Sequence, residues 1–440
     1  MSMGNFSKQN YQETGTIWKE IRTIDLNPDF SLFDSIKNIP PIFKWGPLPE
    51  WFTNDLAFRG WNMSDEELNK TLPDWTKKLT HIDLDLWTDC IMKCPGCFKC
   101  IPGIQTKWQI KVPLKDVQET ILKFKKLWLK TIKILWAWEP FRNKEIIPFL
   151  EWAHENWIGV SVFTKWFEIW DDEQVKRLFW EYGIHNSREM AKKLKELDVS
   201  VLIWLHSFDD ELQKRCVWYE WKLFWDRYIK ARNNAIVQLI RAWLNEYIPW
   251  KPTRLGISAA PLRDYALEEF FEIYKWARLR NIYPIACPSN NSWFWIQENE
   301  RIANSNKNYE ERLIDLYTKI YIRNIDNWIT TLEEFLKDWP SIYPWVQPCK
   351  QLHTWWYMIL WDIWTYEMVS CPWHDPNEEK LCITSQDLIQ MTIEQIKEAR
   401  KKSNNYNLWN YHCIARDGIS LSPDFYDKII EQVKYHYKVK

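Results

Sequence analysis

Between residues 80 and 288 the chain alternates two apolar patterns, and this alternation constrains its fold more than any other feature. Six short strand-like runs occur: Thr80 to Leu86, Thr131 to Ala137, Ile158 to Thr164, Val199 to Leu205, Arg254 to Ala260 and Ile282 to Cys287. Helix-like runs fill the gaps: Leu114 to Leu129, Lys144 to Asn156, Ser187 to Leu197, Lys222 to Leu244 and Asp264 to Arg280. Parallel strands need long crossovers, usually helical, so the pattern predicts an α/β fold with a parallel sheet, open or closed. Such folds carry their active sites at the C-terminal ends of the strands. Asp116 and Asp264 suit early-turn charges or caps of their helices. The stretch from Lys165 to Asn186 is longer than one connection needs and predicts an insertion. Residues 1–75, rich in proline and aromatics, read as an irregular N-terminal extension. Residues 76–300 hold the alternating region. Residues 301–440 form a C-terminal region that is helical to about 340, then cysteine-bearing and turn-rich, with helices expected at Thr392 to Lys402 and Asp424 to Lys438.

The glycine supply does not match this many turns. The 440 residues include 33 Trp and only 10 Gly, where roughly 7% glycine, about 31 residues, is ordinary. The tryptophans stand where glycine is wanted. Asn156-Trp157, Asn327-Trp328 and Asp338-Trp339 occupy the places of Asn-Gly and Asp-Gly turns. Trp157 falls between a helix and a strand, where a left-handed residue at the helix C-terminus is usually glycine. The adjacent pair Trp355-Trp356 does not suit an ordinary surface loop. Stacking tryptophans of a carbohydrate-binding protein would gather on one face, whereas these punctuate the whole chain. The pattern is the one expected when a gene that uses UGA for glycine is decoded with UGA as tryptophan. Residues are named here as written.

A formal net charge of −1 excludes a strongly basic nucleic-acid or membrane binder as the default. The lysines from Lys115 to Lys133 read as a solvated helix face. The polar start, Met1 to Tyr11, lacks the apolar core of a signal peptide, and no stretch of 18 apolar residues occurs, so a cytoplasmic protein is expected. Of 10 cysteines, Cys90, Cys94, Cys97 and Cys100 fall within eleven residues. In a reducing compartment such a cluster predicts metal ligation rather than disulfides.

Cys90, Cys94 and Cys97 follow the first strand with the spacing C-x3-C-x2-C. Three thiolates on a short loop can hold three irons of a [4Fe–4S] cluster and leave the fourth open; a zinc site using Cys100 is the alternative. Here the chain resembles the radical S-adenosylmethionine (SAM) superfamily, over about residues 80–290. That family places this triplet after the first strand of a partial β/α barrel and Gly-Gly-Glu-Pro after the second. The second strand here ends Ala137-Trp138-Glu139-Pro140, which becomes Ala-Gly-Glu-Pro if Trp138 is glycine. The resemblance implies a partial (β/α)6 barrel in which Cys90, Cys94 and Cys97 hold the cluster and SAM chelates the open iron. Reductive cleavage of SAM then yields a 5′-deoxyadenosyl radical that abstracts a substrate hydrogen. It further implies SAM contacts from Ala137, Trp138, Glu139 and Pro140, with Glu139 at the methionine amino group. Phe163-Thr164-Lys165-Trp166 resembles the family's Thr-Asn-Gly, and Ser207 follows the fourth strand where the family often has a polar residue near SAM. Thr164 and Ser207 equally suit helix capping. The residue before the third cysteine, commonly aromatic in the family, is Gly96; Phe98 is the replacement expected to stack on adenine. An electron donor such as flavodoxin or ferredoxin is implied.

Cys349, Cys371, Cys382 and Cys413 form a second group. Met391-Thr392-Ile393-Glu394-Gln395-Ile396 resembles the segment that follows the first auxiliary-cluster cysteines in family members with a SPASM or twitch domain. Four thiolates satisfy one auxiliary [4Fe–4S] cluster, although the C-x2-C of a full SPASM domain is absent. Zinc, with His374 or His412 joining, and scattered buried cysteines are the alternatives. Families with such clusters often modify peptides or proteins, which makes that the expected substrate class beside RNA modification and cofactor biosynthesis. A non-enzymatic zinc scaffold is the reading from another class. Cys287, ending the sixth strand, reads as a buried structural thiol.

Overall fold

In the computed structural model the described residues are 36–43, 81–86, 112–134, 139–164, 169–217, 222–248, 253–259, 262–286, 308–327, 331–338, 355–360, 366–369, 385–402 and 424–439. All six expected strands form: β1 (His81–Leu84), β2 (Thr131–Ile134), β3 (Gly159–Thr164), β4 (Ser200–Trp204), β5 (Leu255–Ala259) and β6 (Tyr283–Ala286). They pair in parallel and in chain order. The connecting helices are α1 (Leu114–Lys125), α2 (Ile146–Glu155), α3 (Asp172–Phe179) with α4 (Ser187–Glu196), α5 (Asp210–Val217) with α6 (Lys222–Arg241), and α7 (Leu267–Arg278). The insertion after β3 is α3, capped by Asp171, whose carboxylate accepts from Gln174 N at 3.3 Å. Asp116 lies in the first turn of α1. The N-cap position of α7 is Ala266, two residues after Asp264, and Ala266 makes no side-chain cap bond. Beyond β6 come α8 (Tyr309–Asp326), α9 (Leu332–Asp338), β7 (Trp355–Leu360), β8 (Tyr366–Val369), α10 (Ser385–Gln390), α11 (Ile393–Lys402) and α12 (Phe425–His436).

The two faces of the sheet differ, and the difference decides between open and barrel architectures. Ile82, Leu84, Ile132, Ile134, Val160, Val162, Val201, Ile203, Leu255 and Ile257 share one core with helix residues such as Ile121, Phe124, Leu150, Leu194, Leu239 and Ile273. Side chains alternate along a strand, so these residues define one face. The other face carries His81, Asp83, Lys133, Ser161, Ser200 and Ser258, all buried, and its buried apolar members Leu202, Tyr283 and Ile285 stand outside that core. One helical layer on one face, with a polar face opposite, is the arrangement of a partial β/α barrel; a doubly wound sheet would need two apolar cores.

The sheet does not stop at β6. β7 pairs in parallel with the outer edge of β1, and β8 returns antiparallel to β7, giving the order β6-β5-β4-β3-β2-β1-β7-β8. The sheet therefore crosses residue 300, where sequence places a domain boundary. Trp355 and Trp356 lie in β7. Lys123 of α1 donates to the carbonyls of Leu388 and Met391 at 2.7 and 2.9 Å and ties α10 to the barrel.

Helix ends repeat one geometry. At 128, 157, 183, 198, 243, 281 and 438 the backbone turns to positive φ. In each case the next residue's N–H bonds the carbonyl five residues back, as in Leu129 N to Phe124 O at 3.1 Å and Ile158 N to Ala153 O at 2.9 Å. This is the Schellman motif, whose left-handed residue is usually glycine or asparagine. The occupants are Gly183, Asn281, Asp198, Lys438 and three tryptophans: Trp128 (φ 79°), Trp157 (φ 57°) and Trp243 (φ 64°). Their indoles are 59%, 90% and 41% exposed, so packing does not account for them.

Candidate active site at the strand ends

Glu139 sits beyond the end of β2. It caps a single 3₁₀ turn, Pro140–Arg142, its Oε1 accepting from Phe141 N at 3.3 Å. Thr164, the last residue of β3, donates its hydroxyl to the same Oε1 at 2.8 Å. Both side chains are buried. Two candidates drawn from motifs 25 positions apart thus meet at the C-terminal edge of adjacent parallel strands, where β/α folds carry their sites. A buried carboxylate fixed by donors is a preformed acceptor for an ammonium group.

Ser207 is placed differently. Its hydroxyl donates to Glu269 Oε2 at 3.2 Å and accepts from Asp209 N at 2.9 Å, inside the turn that opens α5. Asp209 caps that helix, accepting from Leu212 N at 2.7 Å. Arg232, buried in α6, bonds the Ser207 carbonyl at 3.2 Å and Asp210 at 3.1 Å. Cys90, Cys94, Cys97, Phe98, Ala137, Trp138, Cys287, Cys349, Cys371, Cys382 and Cys413 lie outside the described residues. Among the described residues no group of three or more His, Cys, Asp or Glu is arranged to hold a metal, and no helix is long and apolar enough to cross a membrane. Cys216 is a buried thiol whose pKa burial pushes up to about 11.

A second polar cluster escaped the sequence reading, and it contains Lys133, which is buried in β2 instead of lying on the solvated helix face expected for Lys115 to Lys133. On the polar face at the start of the sheet, Asp83 Oδ1 accepts from His81 Nε2 at 3.0 Å and from Lys133 Nζ at 3.1 Å. His81 Nδ1 meets Thr131 Oγ1 at 2.6 Å. The register makes this possible, pairing His81 with Thr131 and Asp83 with Lys133. The signal was present: His-x-Asp in one strand and Thr-x-Lys in the next put polar residues on alternate positions. Burial lowers the His81 pKa to about 4, against the pull of Asp83. His206, just past β4, is lowered to about 3 by burial and then by Arg263.

Both histidines therefore fold uncharged, and the sign of the pH effect follows. A folded-state pKa below the unfolded 6.5 gives stability that is complete above pH 6.5 and lost as pH falls toward 4 and 3. Urea unfolding between pH 6.5 and 4 is expected to show a loss of up to about 1.4 kcal/mol per pH unit per histidine. His206→Phe should remove about half of the histidine slope; the same slope in variant and parent would refute the assignment.

By sequence, a scan of protein families finds no match, and no curated protein matches. By structure, the chain is similar to native anSMEcpe with bound AdoMet, at 12% identity and a TM-score of 0.50, covering 82% of this chain and 97% of that one. It is also similar to Streptococcus suis SuiB bound to precursor peptide SuiA (15% identity, TM-score 0.39, 72% and 67% covered). The [FeFe]-hydrogenase maturase HydG from Carboxydothermus hydrogenoformans follows (13%, 0.31, 62% and 57%). At these identities the likeness concerns the fold, and the first of the three carries it.

Proposed function

We propose that this chain is a radical SAM enzyme acting at the C-terminal edge of β1–β3. One juxtaposition carries the reading. The triplet Cys90, Cys94 and Cys97 begins six residues beyond β1, and Glu139 and Thr164 meet at the ends of the next two strands. The AdoMet bound to anSMEcpe, whose fold this chain shares, supports the same ligand. The residues fit it: a buried carboxylate held by a hydroxyl and a backbone N–H suits the SAM amino group.

When bound, a [4Fe–4S] cluster and SAM supply a 5′-deoxyadenosyl radical that removes a substrate hydrogen. Cys90, Cys94 and Cys97 would hold the cluster. Glu139 takes the SAM amino group, and Thr164 fixes the carboxylate. Ala137, position 138, Pro140 and Phe98 complete the SAM-facing set. Ser207, bound to Glu269, shapes the turn after β4. The buried groups of the inner polar face, Asp83, Lys133, Ser161 and Ser258 among them, limit the water near the reacting groups.

A second cluster on Cys349, Cys371, Cys382 and Cys413 belongs to the same reading. In the sequence Cys349 precedes β7 by six residues and Cys371 follows β8 by two. The resemblance of this region to SPASM and twitch domains favours a peptide or protein substrate, with flavodoxin or ferredoxin as electron donor and the cytoplasm as compartment.

Anaerobically purified protein should be brown and release 5′-deoxyadenosine from SAM after reduction. Cys94→Ala should abolish that release, since three thiolates are the minimum for a cluster with an open iron. A colourless protein carrying stoichiometric zinc would overturn the reading in favour of a scaffold. Cys371→Ala should lower iron by about one cluster while SAM cleavage persists; unchanged iron would remove the second cluster.

A further inference from the structure

Among the described residues, three polar atoms on the inner face of the sheet have no hydrogen-bond partner, Ser161 Oγ, His206 Nε2 and Ser258 Oγ, all buried; the last two flank Trp204. An orphaned buried polar group is costly and rare, so the two around Trp204 need a cause. They share a neighbour. Trp204, the last residue of β4, is in register with Ser258 of β5, and its indole packs edge-on against the His206 ring, centroids 5.4 Å apart at 73°. Trp204 is only half-buried.

The surroundings are rigid. Gln213 Oε1 accepts from His206 N at 2.8 Å and from Ser207 N at 3.1 Å, and Gln213 Nε2 reaches Tyr228 OH at 3.2 Å. Arg232 grips the Ser207 carbonyl. A mobile loop could turn the imidazole toward another partner, but this one is held from both sides. The imidazole also stays uncharged through the physiological range, because burial and then Arg263 lower its pKa to about 3. Beside the Trp204 indole there thus stand one neutral imidazole and one hydroxyl, each with an unpartnered polar atom.

We propose that the indole of Trp204 occupies a built ring-binding slot on the inner face of β4 and β5. The occupant for which the slot is shaped is a planar, uncharged ring whose hydrogen-bonding edge engages His206 Nε2 and Ser258 Oγ. The slot stands on geometry alone and does not require the radical reading. If residue 204 is glycine in the natural protein, it is open. Two sources share the ring chemistry, the adenine of SAM and a ring of the substrate.

The test uses the full-length Trp204→Gly protein, with Trp204→Ala as a second opening should glycine weaken β4, and benzimidazole as the probe. Benzimidazole should bind both opened proteins at least tenfold more tightly than the parent. His206→Phe or Ser258→Ala, added to the opened protein, should each weaken binding by about fivefold to tenfold, the effect of one lost hydrogen bond. Displacement of benzimidazole by SAM assigns the slot to adenine; undiminished binding in saturating SAM assigns it to a substrate ring. Toluene binding as tightly as benzimidazole, or indifference to His206→Phe and Ser258→Ala, would show a plain apolar cavity and overturn the proposal. No benzimidazole binding to folded Trp204→Gly and Trp204→Ala proteins would overturn it as well. Benzimidazole binding and its dependence on His206 and Ser258 are read without SAM, so they stand or fall apart from SAM cleavage; only the choice between adenine and a substrate ring rests on the radical SAM reading.

Discussion

Trp128→Gly, Trp157→Gly and Trp243→Gly combined are expected to stabilise the protein by about 3–6 kcal/mol, since a non-glycine residue held in the left-handed region costs about 1–3 kcal/mol. Part of the gain is returned, because glycine also loosens the unfolded chain. The indoles contribute little that would be missed; Trp157 is 90% exposed. Over a chain of 440 residues the melting temperature should rise by about 3–6 °C, from an unfolding entropy of about 2.1 cal/mol/K per residue. Two substitutions calibrate the claim. Gly183→Trp, at the same motif with φ 71° and open space around the position, should destabilise by about 1–3 kcal/mol. Trp276→Gly should also destabilise, because that indole is buried within α7, donates to Ile36 O at 3.1 Å and lies under the Arg280 guanidinium. Calorimetry on the four proteins decides it. A triple variant no more stable than the parent would end the argument that glycine belongs at these positions. The gene gives an independent check, with UGA expected at codons 128, 157 and 243.

The second large effect is expected at the polar cluster of β1 and β2. Lys133→Met alone should destabilise by about 3–5 kcal/mol, because it leaves the buried Asp83 carboxylate beside a neutral histidine. Lys133→Met with Asp83→Asn should recover most of that loss, since removing both charges together leaves no uncompensated ion. Urea unfolding at neutral pH measures both. Equal losses in the single and double variants would mean that Lys133 matters for its volume rather than its charge.

The strands β1 to β6 were legible because each is a short run with buried residues on both faces, bounded by turns, and each pairs in parallel with the next of the six. β7 and β8 were not legible. Trp355–Leu360 is apolar throughout, yet its partner His81–Leu84 stands more than 270 positions earlier, and no local pattern announces such a pairing. α5 was missed as a helix of only eight residues whose start depends on the Asp209 cap. At the site, Glu139 and Thr164 were named from motifs, but their bond depends on how far β2 and β3 run side by side. Ser207 reads as a ligand residue in sequence, and only the approach of Glu269 from α7 shows its hydroxyl engaged elsewhere.

The pairing of β1 with β7 also sets an order of events during synthesis. When β2 leaves the ribosome, β1 can join it along one side; its other side has no partner until Trp355–Leu360 has been made. For most of translation the nascent barrel therefore carries an open, hydrogen-bond-hungry border, the kind of edge that pairs with whatever strand comes near. The C-terminal hairpin is thus a late-arriving seal, and chains released before it would be the ones most prone to join one another.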